Sequence, residues 1–342
     1  MGPLGSQEDR TGLDLTRQLY RFHAANERWL TRTRPAGEVG LVRRGGAEYD
    51  GLLQILSENQ IAFELTTLDG PGLKTSPLVI VPSADGLSKT DCAALDEYVA
   101  TGGRLLLTGK APRFLRCLEG ITFRETRPTE KGAYIRVRPE DRSRLGRPDL
   151  EKLDLVFLRG PFHVYETSGT AEGLLRLIPA DMFGPPEKCY YRSVSDHPAL
   201  LFAKYGRGAV ACFPWDIGSH YEQQCHQGHA SLVLGAIDSL LGLDRRLHVT
   251  ASPLVEVTHR IGTDGRFEWV ALFNHSGQQG KALHSPIPIR DIAIRLRPQK
   301  EVKTVRLLQT GAALDLSQDS QGLSVFVPRL DHYEIVLFEY AE

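Results

Sequence analysis

The sequence lacks the features that mark secreted, membrane or nucleic-acid-binding proteins. Its five cysteines are scattered and form no CxxC pair, which disfavours a disulfide framework or a zinc ribbon and indicates a reducing compartment. No apolar run approaches the roughly 18 residues that span a bilayer, and the N-terminus has no signal pattern. The charges of the basic and acidic side chains nearly cancel, at a net charge of -1. The chain therefore has no net positive charge that would attract the phosphates of a nucleic-acid backbone. We therefore expect a cytoplasmic protein without membrane or nucleic-acid partners.

Signatures of several catalytic and cofactor sites are also missing. No GxSxG motif follows a strand, and neither GxGxxG nor Walker spacing occurs. Gly45-Gly46 after Arg43-Arg44 could cradle a phosphate at a strand end, but a plain turn is the simpler interpretation. The sequence therefore predicts no cofactor and no metal.

The composition is that of an ordinary globular protein, because 41% of the 342 residues are hydrophobic. The chain is long enough for two domains.

Residues 1–6 read MGPLGS, which resembles the scar left when an affinity tag is cleaved, so the natural chain is expected to begin earlier. Residues 13–33 carry apolar positions at helical spacing and predict a lead-in helix that stops before Pro35.

Short apolar runs then alternate with amphipathic runs. Strands are predicted at 39–42, 61–65, 77–81, 104–107 and 209–213, and helices at 47–59, 89–100 and 230–241. Continuous apolar strands suit a parallel sheet that is covered on both faces, so this part is predicted to be α/β, with insertions and edge hairpins over 111–205.

The last hundred residues change character. Thr263-Asp264-Gly265 separates two apolar runs as a hairpin turn would, and alternating patterns recur downstream. These patterns predict a small antiparallel β-sandwich. The predicted organisation is 1–36 as tag remnant and lead-in helix, 37–245 as the α/β domain and 246–342 as the β-sandwich domain.

Two stretches carry a family resemblance: VIVPSADGLSKTDCAALDEYVATGGRLLLTGK, and later KYGRGAVACFPWDIGSHY, followed by a short β-domain. From Leu13 onward the chain resembles the region that follows the catalytic barrel in glycoside hydrolase family 42 β-galactosidases and related glycosyl hydrolases. The resemblance implies a trimerisation-type domain with a flavodoxin-like, class I glutamine amidotransferase-like fold, together with a C-terminal β-domain.

The residues that would make such a fold catalytic are missing from this sequence. In amidotransferases of this fold a cysteine nucleophile follows a core strand on a sharp turn, whereas Thr108-Gly109-Lys110 stands there in this chain. A catalytic (β/α)8 barrel needs about 250 residues. Too few precede Val39 to build one, so the resemblance implies the companion of a hydrolase.

Residues 213–233 contain a dense cluster of polar and ionisable side chains after the last predicted core strand. His226 and His229 would share a helix face, which suits a metal, but Gly228 weakens a helix there and no HExxH motif is present. Structural packing or subunit contact is the favoured interpretation, with ligand binding and then metal binding as the alternatives. The candidate ligand or interface residues are Trp215, Asp216, His220, Tyr221, Glu222, His226 and His229.

Three functional hypotheses follow. The first is a non-catalytic oligomerisation or accessory region of a glycoside hydrolase-like protein, with a homo-oligomer (dimer or trimer), an upstream barrel domain and carbohydrate as expected partners. The second is a divergent hydrolase that acts on glycosides through Asp216, His220, Glu222 and His226. The third is a carbohydrate-binding module in the β-domain, with an exposed Trp269 or Tyr333 as its platform.

Overall fold

The computed structural model describes residues 11–70, 72–129, 132–180, 193–242, 245–320 and 322–341. They form two compact units, one over 37–246 and one that joins the residues up to Ala36 with those from Leu247 onward. Among the helices in these ranges, none is long and apolar enough to cross a membrane.

The helices are α1 (Thr11–Leu30), α2 (Ala47–Glu58), α3 (Gly72–Thr75), α4 (Lys89–Ala100), α5 (Pro139–Leu145), α6 (Ile217–Gln224) and α7 (Gln227–Leu241). The first thirteen strands are β1 (Thr33–Pro35), β2 (Val39–Val42), β3 (Phe63–Thr66), β4 (Leu78–Val81), β5 (Arg104–Thr108), β6 (Ile121–Pro128), β7 (Ala133–Arg136), β8 (Leu155–Leu158), β9 (Pro161–Thr167), β10 (Glu172–Leu174), β11 (Arg176–Ile178), β12 (Leu200–Tyr205) and β13 (Gly208–Phe213). The remaining strands are β14 (Leu247–Thr250), β15 (Val255–Gly262), β16 (Phe267–Asn274), β17 (Gln278–Gln279), β18 (Ala282–Leu283), β19 (Ile289–Leu296), β20 (Val302–Leu307), β21 (Leu316–Asp319), β22 (Gly322–Leu330) and β23 (Tyr333–Tyr340).

The 37–246 unit is built on a seven-stranded sheet in the order β10-β12-β13-β5-β4-β2-β3. The five strands from β13 to β3 run parallel, and β12 and β10 extend one edge antiparallel. Because consecutive side chains on a strand point to opposite faces, Leu106 packs with α2 and α7 while Leu107 packs with α4. Both faces of the inner strands are therefore covered, which is why β4 and β5 carry unbroken apolar runs, whereas the edge strand β3 is only partly buried.

The insertion between β5 and β12 folds into smaller antiparallel sheets. Strands β6 and β9 form a two-stranded ribbon, and β11, β7 and β8 form a three-stranded sheet. The sequence prediction of a mixed α/β chain with a β-rich C-terminal region is confirmed.

The second unit contains two large antiparallel sheets that approach each other at β16 and β22, together with the short hairpin β17-β18. Their orders are β1-β15-β16-β23-β20 and β14-β19-β22-β21. The first sheet is apolar on both faces, because α1 packs on the face that carries Trp269 and Leu337.

Helix α1 belongs to this second unit. The Trp269 indole donates a hydrogen bond to the Trp29 carbonyl oxygen at 2.8 Å, and the Trp29 ring meets the Phe267 ring edge-on with centroids 4.9 Å apart. The sequence analysis treated residues 1–36 as a separate segment. In the structure, residues 11–36 belong to the same compact unit as the β-sheets that follow Leu247.

Trp269 is only 6% exposed, so the expectation that it forms an exposed sugar platform is wrong.

Candidate functional site

The carboxyl ends of the parallel strands gather polar side chains at one edge of the sheet. This is the edge where open α/β sheets bind ligands. Glu48 lies in the first turn of α2 shortly after β2, Ser83 follows β4, Thr108 ends β5 and Asp216 follows β13. We call these four residues the carboxyl-edge cluster.

Glu48 is the most deeply buried member, with 5% of its surface exposed. Its Oε2 accepts a hydrogen bond from the Ser219 N–H at 2.7 Å, which caps the first turn of α6. Its Oε1 is buried without a hydrogen-bond partner among the described residues. Burial, reinforced by the negative charge of Asp216, raises the pKa of the Glu48 carboxyl to about 7.

Asp216 stands at the N-cap position of α6, yet its side chain makes no capping hydrogen bond. A Cβ atom added to Gly109 would lie 3.0 Å from Asp216 Oδ1, so the aspartate lies directly against the turn after β5. Burial raises the pKa of Asp216, and the charge of Asp85 raises it further, while His220 opposes the rise. The cluster therefore holds two carboxyls whose ionised forms are disfavoured.

The turns that carry these side chains have unusual backbone conformations. Ser83 has φ 47°, a left-handed value that is costly for a residue with a side chain, and Gly109 has φ 74°. The Ser83 N–H donates to the Thr108 hydroxyl at 3.0 Å, and the Ala84 N–H donates to the Thr108 carbonyl at 2.7 Å. These bonds fix the β4 and β5 turns against each other beside Glu48.

This geometry suits binding and proton exchange better than nucleophilic catalysis. The turn after β5 presents Thr108, Gly109 and Lys110, with no thiol. Among the described cysteines, Cys92, Cys117 and Cys212 are buried, and burial raises the pKa of each thiol. Within the described ranges no group of three or more His, Cys, Asp or Glu side chains is arranged to hold a metal ion.

Most of the site residues predicted from sequence form one cluster of packed rings, which we call the aromatic stack. Trp215, His220 and His229 contact one another, with ring centroids 5.4 Å apart for Trp215 and His220, 5.5 Å for His220 and His229, and 5.8 Å for Trp215 and His229. His226 stacks on His229 at 6.3 Å. The stack joins α6 and α7 to the end of β13 and is mainly buried, except for the exposed His226.

The hydrogen bonds of the stack are made to the backbone. His220 Nδ1 donates to the Asp216 carbonyl at 2.7 Å, and Nε2 accepts from the Arg159 N–H at 2.8 Å. His229 Nε2 donates to the Phe157 carbonyl at 2.8 Å. Burial lowers the pKa of His229 to about 4, so this ring is neutral at pH 7.

The remaining predicted residues are separated from the carboxyl-edge cluster. The Tyr221 hydroxyl donates to the Glu58 carboxylate on α2, and Glu222 is exposed. Asp216 is thus the one predicted residue in this cluster, and Glu48, Ser83 and Thr108 were missed. A carboxylate at the start of a helix directly after a glycine turn was the sequence signal that could have identified Glu48.

No protein-family model matches this sequence, and no curated protein matches it significantly. Solved structures do match in fold. An α-L-fucosidase isoenzyme 2 from Paenibacillus thiaminolyticus aligns over 99% of this chain and 54% of its own, with a TM-score of 0.79 and 19% identity. A β-galactosidase from Bacillus circulans sp. alkalophilus aligns over 98% of this chain and 46% of its own, with a TM-score of 0.64 and 15% identity.

A catalytic mutant of a GH42 β-galactosidase from G. stearothermophilus aligns over 98% of this chain and 45% of its own, at a TM-score of 0.61 and 18% identity. The chain therefore spans about half the length of these glycoside hydrolases. At such identities the likeness establishes a shared fold.

Proposed function

We propose that the chain is a non-catalytic accessory and oligomerisation region of a glycoside hydrolase-like protein. The observation that carries this proposal is the fold match over 98–99% of the chain to about half of three glycoside hydrolase structures. Numbered along the chain, the parallel strands β3, β2, β4, β5 and β13 have the order 2-1-3-4-5. That order is the flavodoxin-like one and agrees with the proposed trimerisation-type, amidotransferase-like domain.

The missing nucleophile supports a non-catalytic role for this domain. A class I amidotransferase reaction needs an accessible thiolate on the turn after a core strand. The turn after β5 has none, and Cys117, the nearest thiol along the chain, is buried. Burial raises the pKa of Cys117, first by desolvation and then through the charge of Asp96, so it stays protonated at pH 7.

Helix α1 offers an apolar surface for a neighbouring region. Its Phe22 and Trp29 face the β-sheet, whereas Leu13, Leu19 and Tyr20 are exposed, Tyr20 by 73%. These exposed apolar side chains are interspersed with charged ones, as on the surface of a contact with another polypeptide. We propose an upstream catalytic region, packed on α1, as that partner.

The alternative of a divergent hydrolase has less support from the geometry. Both ring nitrogens of His220 are hydrogen-bonded to the backbone, which leaves neither free to relay a proton. The alternative of a carbohydrate-binding module loses Trp269 as a platform, and Tyr333 is half-buried against Phe22 and Phe273.

The proposal is tested on the purified chain by two measurements. Sedimentation velocity over a wide concentration range is expected to show a dimer or trimer. Assays with aryl α-fucosides and aryl β-galactosides are expected to show no turnover above buffer. A strict monomer at the highest concentration contradicts the oligomerisation role.

The assays include variants that separate true turnover from a contaminant. His220→Ala and Asp216→Asn alter two of the residues that the rival hydrolase would need, and Glu119→Gln, at an exposed carboxylate outside the predicted site, is the control. Turnover that disappears in the first two variants and persists in the third would establish the hydrolase instead.

A further inference from the structure

The second unit contains a cleft of about 1230 Å³ that is larger than a typical small-molecule pocket. Its walls come from the end of α1, the turn between β15 and β16, the start of β20 and the end of β23. All of these elements belong to one compact unit, so the cleft is formed within that unit.

Five basic side chains converge on this cleft from different elements. They are Arg28, Arg32, Arg266, Lys300 and Lys303. All five are exposed, and none forms an ion pair with an acidic side chain of the described residues. Other exposed cations of the same unit, among them Lys281 and Arg290, also form no ion pair with the described residues, so the distinctive feature is that five cations converge on one cleft.

Three acidic side chains, Glu27, Asp264 and Glu339, also line the cleft. Glu339 is already paired, since its Oε2 accepts from Arg306 Nε at 3.1 Å. Asp264 Oδ1 accepts the Arg266 N–H at 3.0 Å within the turn. The positive charge therefore exceeds the negative charge, and the two signs are interspersed along the walls.

The arginines beside Trp29 are held in place by the indole. The Arg28 guanidinium lies 4.3 Å from the Trp29 ring centroid, and the Arg306 guanidinium lies 5.5 Å from it. Cation–π contacts of this kind restrict a guanidinium without using its hydrogen-bond donors. Arg28 therefore keeps its donors available to a ligand.

Solvated surface charges are the simplest explanation of any single lysine or arginine here, and the α1 C-terminus attracts cations through the helix dipole. The dipole acts only on Arg28 and Arg32, which lie at the helix end. It does not explain why Arg266, Lys300 and Lys303 approach the same cleft from other elements and increase the mutual repulsion.

We propose that this cleft binds an acidic oligosaccharide, a sugar chain that carries carboxylate or sulfate groups. The cations pair with the anionic groups, and the interspersed carboxylates accept hydrogen bonds from neutral sugar hydroxyls. A continuous polyphosphate backbone fits less well, because Glu27 and Asp264 repel it and the chain has a net charge of -1. The inference does not depend on the function proposed above.

The test is calorimetric titration of the purified chain with a tetragalacturonate, which carries carboxylates, and with a heparin-derived tetrasaccharide, which carries sulfates. We expect saturable binding of at least one of them with a Kd below about 1 mM, weakened by salt. Cellotetraose, which is neutral, is expected not to bind. Absence of saturable binding to both acidic probes would overturn the proposal.

Two double variants with the same change of net charge locate the binding site. Arg32→Gln with Lys303→Gln removes two cleft cations and is expected to weaken binding by about tenfold or more. Lys281→Gln with Arg290→Gln removes two exposed cations of the same unit that do not line the cleft, and is expected to change Kd by less than about twofold.

Equal losses in the two double variants would mean non-specific attraction and would reject the cleft as the site. Tighter binding of a single-stranded oligonucleotide of equal charge, or equally tight binding of inorganic sulfate alone, would reject the oligosaccharide as the ligand class. All four substituted side chains are exposed, so these variants are expected to fold normally.

Discussion

At the scale of single residues, Glu48 has two roles that oppose each other energetically. Its Oε2 caps α6 through the Ser219 N–H, which favours a carboxylate. Its Oε1 is buried beside Asp216 and has no hydrogen-bond partner among the described residues, which disfavours the charge. The raised pKa shows that the second effect is the larger.

Because the pKa of Glu48 rises from 4.5 to about 7 on folding, this carboxyl makes the free energy of unfolding depend on pH. Below pH 4.5 Glu48 is protonated in both states and carries no penalty. Between pH 4.5 and 7 the unfolded state ionises first, so stability falls as pH rises, by roughly 3 kcal/mol in total. Glu48→Gln is expected to remove this fall, as measured by urea unfolding between pH 4.5 and 8.

The difference between wild type and Glu48→Gln isolates this carboxyl from other titrating groups. Among these are His163 and His229, whose pKa values burial lowers to about 4. Glu222→Gln, which removes an exposed carboxylate from α6, is the matched control for the substitution itself. An identical pH profile for wild type and Glu48→Gln would show that Glu48 titrates normally.

Residue roles in the candidate site were only partly predictable. Asp216 was identified because it follows a core strand. The burial of Glu48 could not be read from the sequence, since Ala47, Glu48 and Asp50 look like an ordinary acidic first helical turn. Contact with α6, which is remote in sequence, makes Glu48 different from Asp50.

At the scale of secondary-structure elements, α2 and α6 approach each other through glycines. A Cβ atom on Gly51 would lie 1.8 Å from the Gly218 carbonyl oxygen, and one on Gly218 would lie 2.3 Å from the Glu48 carbonyl oxygen. The close approach of the two backbones is what lets Glu48 reach the first turn of α6.

Gly51→Ala is expected to destabilise the chain by about 2 kcal/mol or more, because a backbone carbonyl blocks the added methyl group and the helices must separate. The better helix propensity of alanine, worth about 1 kcal/mol, only partly offsets this cost. The measurement is the midpoint of urea unfolding at pH 7.

Gly235→Ala in α7 is the control for this substitution. There the added Cβ would lie 3.3 Å from the Leu145 Cβ, and its three nearest neighbours are all side-chain atoms. Its effect is expected to stay within about 1 kcal/mol. Equal effects of the two substitutions would mean that α2 and α6 are less closely packed than described.

At the scale of the whole molecule, the cysteines report on the intact fold. Cys92, Cys117 and Cys212 are buried, whereas Cys225 is exposed at the end of α6. Burial raises the pKa of Cys92 to about 11 and that of Cys212 to about 12. Cys189 lies outside the described residues.

Alkylation with iodoacetamide at pH 8 is expected to modify Cys225 in the native protein and to spare the three buried thiols until the chain unfolds. At this pH roughly one Cys92 thiol in a thousand is ionised, and burial also blocks the reagent. Mass spectrometry of the tryptic peptides resolves each site. Native-state modification of Cys117 at the rate of Cys225 would contradict the described core.

The sequence by itself determined which segments become strands and helices in most of the chain. Unbroken apolar runs such as 77–81 require a strand covered on both faces, and alternating runs such as 323–327 require a strand with one face inward. These are local consequences of side-chain periodicity, so they can be read from neighbouring residues.

Only the tertiary structure decided which remote residues meet. It buried Trp269 beneath α1, placed Glu48 against α6 and Asp216 against Gly109, and gathered five cations around one cleft. The physical reason is that burial, pKa shifts and charge convergence depend on contacts between segments far apart in the chain. Periodicity constrains which face of an element is buried, but it does not specify the partner that covers it.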